Sequence, residues 1–305
     1  MEYKSHVDGR AWHFQFDCGY TRDFIEASKE IEIPDLSFIP YKRYLLSKIF
    51  MDIFGYSFSV RLLEILRDYQ SGCIFLHFGE QVAKDDCIRL STAISHQISR
   101  PSASDSNGLF YAIIKIVDDN KTEMKLYEPY KDFPLHTDGV FKDNPVDWLL
   151  MMKVSEFSAS GGESRLLHIE DWEEWDSFYN RPENQKQYMH GLIEKDKRYE
   201  SFRKISSLEP SFSQILSIRD AKKNVKFVDQ YVVPSTTQEA TFIHEFQESI
   251  EKSRGIVNTR LPVGSMILLN NNFWMHGRTK FEENPNLHRE LLRQYGCFQD
   301  NNQVY

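Results

Sequence analysis

The chain places His136 and Asp138 two residues apart in the stretch "KDFPLHTDGVF" (131–141), just upstream of a long apolar run. In an extended segment, side chains at i and i+2 point to the same face. The pair therefore offers an imidazole nitrogen and a carboxylate oxygen to a common point, two-thirds of a 2-His-1-carboxylate facial triad, the donor set of non-haem Fe(II) chemistry. A second His must come from elsewhere. His276 is the leading candidate, because it lies near the end of the apolar run "SMILLNNNFWMHGR" (265–278) and Gly277 follows, permitting a sharp turn. Further on, another strand pattern carries Arg289 and Arg293. A metal that holds one end of an anionic co-substrate needs a partner for the other end, and a planar guanidinium binds a carboxylate through two parallel hydrogen bonds. The plainer reading of Arg289 is a surface charge paired with Glu290. His13, His77, His96, His168 and His244 lie inside strand or helix patterns and read as structural. His6 and Asp8 in "HVDG" repeat the same spacing, but they fall in the first few residues, where order is least expected.

The elements that must position these residues are mostly strands. Strand patterns cover 109–118, 147–154, 164–170, 225–233, 265–277 and 289–298, with Gly and Pro between them. Helical spacing predicts helix over 42–70, with a stop at Gly72, and over 84–98. A further helix is expected over 238–253, where Phe242, Phe246 and Ile250 recur at four-residue spacing. "CIFLHFG" (73–79) reads as a short strand. Residues 180–222 are polar and weakly periodic and read as an insertion covering one end of the sheets. The expectation is one domain over residues 1–305, mainly β with flanking helices: a β-sandwich or jelly roll with a helical amino-terminal part at about 42–100.

Composition narrows the function classes. A chain of 305 residues with a formal net charge of -8 can bury a sizeable core but lacks the clustered cations that phosphate binding needs. No run approaches the roughly 18 consecutive apolar residues of a membrane span. The amino terminus, "MEYKSHVDGRAWHF", has no secretory h-region. Cys18, Cys73, Cys87 and Cys297 are scattered without a CxxC pair, which suits reduced thiols in a cytoplasmic protein. No nucleic-acid or membrane partner is expected, and self-association into a homo-oligomer stays open.

In chain order, the HxD pair, a GG turn followed by a hydroxyl residue, a distant His-Gly and a pair of arginines make a specific set. These residues resemble the Fe(II)/2-oxoglutarate-dependent dioxygenases, and more narrowly the glutarate 2-hydroxylase (carbon-starvation-induced) family. The resemblance runs from about residue 109 to the carboxyl end, through "LHTDG" (135–139), "LLMMKV" (149–154), "GGESRLLHIEDWE" (161–173), "FVDQYV" (227–232), "LPVGSMILLNNNFWMHGR" (261–278) and "RELLRQYG" (289–296). The first hundred residues match loosely. The resemblance implies a double-stranded β-helix, with His136, Asp138 and His276 as iron ligands. It implies that Arg289 binds the C5 carboxylate of 2-oxoglutarate, with Ser164 as a hydroxyl donor to the same group and Arg293 for an anionic group of the substrate. Fe(II), 2-oxoglutarate and O2 would then hydroxylate an unactivated C–H, releasing succinate and CO2. Asn270, Asn271 and Asn272 are placed to hydrogen-bond around the ligands.

The last strand departs from the family pattern, which is richer in Arg: His288 and Tyr295 stand at two of those places. If 289, 291, 293 and 295 share one face, Arg293 grips one substrate carboxylate and Tyr295 donates a hydrogen bond without neutralising a second. The substrate expected is therefore a small aliphatic carboxylate, glutarate or a near relative, with a free amino acid such as L-lysine as the rival. Two other classes use the same residues: a Zn hydrolase, which lacks an obvious general base near either His, and a non-catalytic jelly roll that senses 2-oxoglutarate.

Overall fold

Residues 148–152 read as an unbroken apolar run because both faces of that strand are covered. Trp148, Leu150 and Met152 pack into one hydrophobic core, while Leu149 and Met151 pack into a second. A strand buried on both sides has no reason to alternate. The computed structural model describes residues 3–79, 82–104, 108–118, 128–140, 146–192 and 210–298.

The chain begins with strands β1 (Tyr3–Asp8) and β2 (Ala11–Phe16), then helices α1 (Cys18–Ser28), α2 (Ile33–Phe38), α3 (Pro40–Phe54) and α4 (Tyr56–Arg67). Strand β3 (Cys73–His77) and helix α5 (Lys84–Ile98) follow. Next come β4 (Ala112–Val117), β5 (Phe133–His136), β6 (Trp148–Phe157), β7 (Ser164–His168) and the short helix α6 (Trp175–Tyr179). Strands β8 (Tyr188–His190), β9 (Ser211–Ser213), β10 (Leu216–Arg219), β11 (Lys222–Val225) and β12 (Val232–Val233) lead to α7 (Thr237–Glu251). The last four are β13 (Val257–Thr259), β14 (Met266–Asn270), β15 (Trp274–Arg278) and β16 (His288–Gly296).

A seven-stranded sheet in the order β1-β2-β3-β14-β6-β16-β4 packs against a four-stranded sheet in the order β13-β7-β15-β5. Among the described residues only β2 and β3 pair in parallel. This is the expected jelly roll. The inner core joins Leu149, Met151, Ile267 and Leu269 to Leu135, Leu166 and Met275. The outer core joins the other face of the large sheet to Leu46, Phe50, Leu62 and Ile94 of the helices. Among the described residues no helix is long and apolar enough to cross a membrane.

Several expectations are corrected. The helix over 42–70 is two helices, broken at Gly55, whose φ of 87° lies outside helical space, and the second ends at Arg67 rather than Gly72. The run 225–233 is mostly irregular, because Phe227 spends its backbone groups on Thr137 instead of a strand neighbour. The run 265–277 is two strands in different sheets. At Asn270 the amide side chain reaches the Leu66 carbonyl at 3.0 Å and accepts from the Asn272 N–H at 3.2 Å, turning the chain from β14 into β15. The described parts of 180–222 carry β8, β9 and β10; the remainder of that insertion, 193–209, lies outside the described residues. The first 41 residues hold a hairpin and two helices that no strong periodicity announces.

Candidate metal centre

His136 is the last residue of β5 and His276 lies in β15, where the two are cross-strand partners. Their ring centroids are 4.1 Å apart. Asp138 follows in the turn after β5, so the HxD spacing works where the chain leaves the strand. One donor atom from each of His136, Asp138 and His276 lies within 4.8 Å of the others, the only such cluster of three or more among the described residues. The Nδ1 of His136 is 2.8 Å from the Pro134 carbonyl, and donating to it leaves Nε2 as the nitrogen available to a metal, 3.7 Å from an Asp138 oxygen. Burial pushes His276 down to about 3, with the neighbouring His136 adding to the shift. Burial lowers His136 too, against the pull of Asp138. Two neutral imidazoles and one carboxylate are the charge state an Fe(II) site requires, so the donor set fits the metal.

The segment that carries His136 and Asp138 is held from two sides. The Thr137 N–H donates to the Phe227 carbonyl at 2.8 Å, and the Phe227 N–H returns a bond to the Thr137 hydroxyl at 3.0 Å. Asn271 accepts from the Asp138 N–H at 2.8 Å and donates to the carbonyls of Asp138 and Val146 at 3.0 and 2.7 Å. Of the three asparagines, Asn271 therefore holds the ligand loop, while Asn270 makes the turn and Asn272 reaches Asp147 at 3.1 Å. Thr137 and Phe227 escaped sequence reasoning, since both clamp bonds use the Phe227 backbone and a lone Thr hydroxyl gives no hint of a partner 90 residues away. His6 and Asp8, the other HxD pair, sit on edge strand β1, where His6 stacks on His13 at 4.6 Å. Among the described residues no third donor joins them.

Arg289, Arg293 and Tyr295 share one face of β16 by alternation, with Tyr295 in the inner core and Arg289 over the Phe281 ring. Arg289 is 2% exposed, and its guanidinium has one hydrogen bond, Nη1 to the Gly162 carbonyl at 3.2 Å, while its Nε has no partner. Burial lowers it to about 10 from an ordinary 12.5. It is a buried cation, and among the described residues it has no carboxylate partner. Ser164 opens β7, two residues beyond that Gly162 carbonyl, and is buried. Arg293 pairs with Asp138 at 3.3 Å and lies over the Tyr295 ring at 5.2 Å. The Tyr295 hydroxyl, expected to serve the substrate, donates to the Ala103 carbonyl at 2.9 Å. His288 falls on the opposite face of β16, 3.8 Å from Glu290. Arg289 is not paired with Glu290, which binds Lys84 at 2.7 Å. A cavity opens beside Asp138, with Arg219, Lys226, Asn271 and Asn272 among its walls.

A family model, CsiD, matches residues 3–298. The chain belongs to the CsiD family. This is the glutarate 2-hydroxylase family, and membership makes the protein an Fe(II)/2-oxoglutarate-dependent oxygenase that hydroxylates a small carboxylate, rather than a Zn hydrolase or a sensing module. The match takes in the amino-terminal hundred residues, beyond the segment where the sequence resemblance was visible. The fold is similar to solved oxygenases. An asparagine oxygenase in complex with Fe(II), 3-hydroxyasparagine and succinate superposes with a TM-score of 0.70 at 14% identity, over 93% of this chain and 92% of that one. The non-haem iron oxygenase OrfP with Fe, succinate and (3S)-hydroxy-L-Arg gives 0.68 at 13% identity, over 93% of both chains. OrfP with Fe and α-ketoglutaric acid gives 0.66 at 13%, over 95% of both.

Proposed function

We propose that His136, Asp138 and His276 hold the Fe(II), that Arg289 and Ser164 grip the C5 carboxylate of 2-oxoglutarate, and that Arg293 holds a carboxylate of the substrate. The observation that carries this reading is the charge state of β16. Arg289 is a buried guanidinium with no anionic partner among the described residues, on the same strand face as an Arg293 that already reaches the Asp138 carboxylate. Burying an uncompensated cation is costly unless a ligand supplies the counter-charge. When bound, Fe(II) supplies O2 activation coupled to oxidative decarboxylation of 2-oxoglutarate. The side chains do the rest. Pro134 fixes the His136 tautomer, Asn271 fixes Asp138, and the inner core keeps water from the site. With its carboxylate committed to a metal, Asp138 would hold Arg293 less strongly, leaving Arg293 to reach a substrate carboxylate. Tyr295 acts through its ring, which backs Arg293, rather than through its hydroxyl.

The substrate we favour is glutarate or a near relative. Arg219 and Lys226, in the cavity beside Asp138, suit an anionic molecule approaching the site. A free aliphatic amino acid such as L-lysine is the second reading, favoured by Tyr295 where the family pattern has Arg and by the hydroxylated amino acids in the asparagine oxygenase and OrfP complexes. The same reading treats residues 1–305 as one catalytic unit acting inside the cell, with the helices backing the large sheet. Anaerobic addition of 2-oxoglutarate to the Fe(II)-loaded protein should produce a visible charge-transfer band, and a panel of diacids and amino acids should identify the substrate by succinate release. No band with wild-type protein, or a full band with His276→Ala, overturns the ligand assignment.

A further inference from the structure

The face of β6 beside Arg289 carries a second charged group whose arrangement has a consequence for the co-substrate. Glu156 lies directly opposite Arg289 across β6 and β16, on the same face. A carboxylate so placed is the natural ion-pair partner of a buried guanidinium. The two do not pair. Both Glu156 oxygens are engaged elsewhere: Oε2 by Lys153 and Oε1 by Arg260 at 2.8 Å. Lys153 reaches Glu156 because the register of β6 against β16 shifts by one at Val154, which turns residues three apart onto one face. Lys153 is 2% exposed, an unusual place for a lysine unless it has a task. The other nearby carboxylate, Glu163, is tied to the hydroxyl of Thr279.

We propose that Lys153 and Arg260 sequester Glu156 and thereby keep Arg289 open for the co-substrate carboxylate. They are positioning residues: they act on 2-oxoglutarate through the competitor they restrain. Without them, Glu156 swings onto Arg289 and forms a buried ion pair that the incoming carboxylate must displace. The proposal rests on the assignment of Arg289 above, and the bulge at Val154 is the backbone feature that makes it possible. Lys153 is held below its ordinary range, to about 8, chiefly by burial and partly by Arg289, while its bond to Glu156 opposes the fall. That balance agrees with a cation kept in place by a single carboxylate.

The test is anaerobic titration calorimetry of the full-length, Fe(II)-loaded protein with 2-oxoglutarate as the probe. Lys153→Met should weaken binding by at least about tenfold, the order expected when a ligand must break a buried charge pair. Arg260→Ala should weaken it by a smaller factor, since Arg260 is half exposed and only one of two restraints. Glu156→Gln should bind as tightly as wild type or more so. The double variant Lys153→Met with Glu156→Gln should return to within about threefold of wild type, because the competitor is gone. In turnover, Lys153→Met should raise the KM for 2-oxoglutarate and spare kcat at saturation. Wild-type affinity in both Lys153→Met and Arg260→Ala overturns the proposal. So does a double variant as weak as Lys153→Met, which would place Lys153 on the ligand itself. If Lys153→Met does not fold, Arg260→Ala with and without Glu156→Gln decides by the same rule. Unchanged affinity in Arg289→Ala would instead remove the co-substrate assignment on which the inference stands.

Discussion

Arg289→Ala removes the cation assigned to the C5 carboxylate of 2-oxoglutarate, and its effect can be worked from the surroundings of that side chain. In the protein without ligand, Arg289 has one carbonyl partner, Gly162, and no carboxylate among the described residues. Deleting it breaks no ion pair. The truncation leaves a cavity, which destabilises, and relieves a desolvated charge, which stabilises. The two effects oppose, so the melting temperature of the ligand-free protein should move little. The ligand-bound state is different, because there a buried carboxylate loses its bidentate partner. That loss costs about 2–5 kcal/mol, or roughly thirtyfold to several-thousandfold in affinity. At a 2-oxoglutarate concentration about 100 times the wild-type Kd, binding stabilises the wild type by about 2.7 kcal/mol. A Kd raised about a hundredfold leaves roughly 0.4 kcal/mol of that. The assay is therefore thermal unfolding of the Fe(II)-loaded protein under anaerobic conditions, with and without 2-oxoglutarate, beside a direct titration. Wild type should show a clear ligand-induced rise and Arg289→Ala almost none. Arg289→Lys should fall between, since an ammonium lacks the planar fork. A full ligand-induced rise in Arg289→Ala would refute the placement.

Asn271→Ala removes three hydrogen bonds around Asp138 and Val146, and it should weaken metal affinity by about tenfold or more while the fold persists; unchanged affinity in a metal titration would show that the loop holds itself. Ser164→Ala should cost on the order of 1–2 kcal/mol in 2-oxoglutarate binding, less than Arg289→Ala, and a larger loss would reverse their ranking. Arg293→Ala should raise the apparent constant for the organic substrate far more than that for 2-oxoglutarate, which steady-state kinetics separates directly. Burial lowers His96, His168 and His190 to about 4 and His276 to about 3, from 6.5. Folded-state values below the unfolded one mean that this stability is complete above about pH 6.5 and is lost progressively as pH falls toward 4. The melting temperature of the metal-free protein should decline through that window, and a flat profile would contradict the burial of these imidazoles as neutral rings.

Three residues that the fold brings together were already legible in one dimension. His136, Asp138 and His276 are chemically distinctive, and HxD spacing together with a distant His-Gly is local information that survives in one dimension. The sequence also determined the element types wherever burial imposes a clean period: helix α5 matches the expected 84–98, and Phe242, Phe246 and Ile250 line the buried side of α7. The alternation along β16 likewise placed Arg289, Arg293 and Tyr295 on one face. What those residues touch depends on which distant strands the fold sets beside them. Residues 265–277 have one continuous apolar pattern, and it breaks in two because Asn270 finds the Leu66 carbonyl, a contact across 204 positions. Lys153 looked like an ordinary member of the run "LLMMKV"; a one-residue register shift against β16 sends it to Glu156. The Tyr295 hydroxyl meets a carbonyl from a loop nearly two hundred residues earlier. Periodicity reports which side of an element is buried, because burial is set by the repeat of the backbone. It does not report partners, because hydrogen-bond and ion-pair partners are chosen by which distant strands the fold brings side by side.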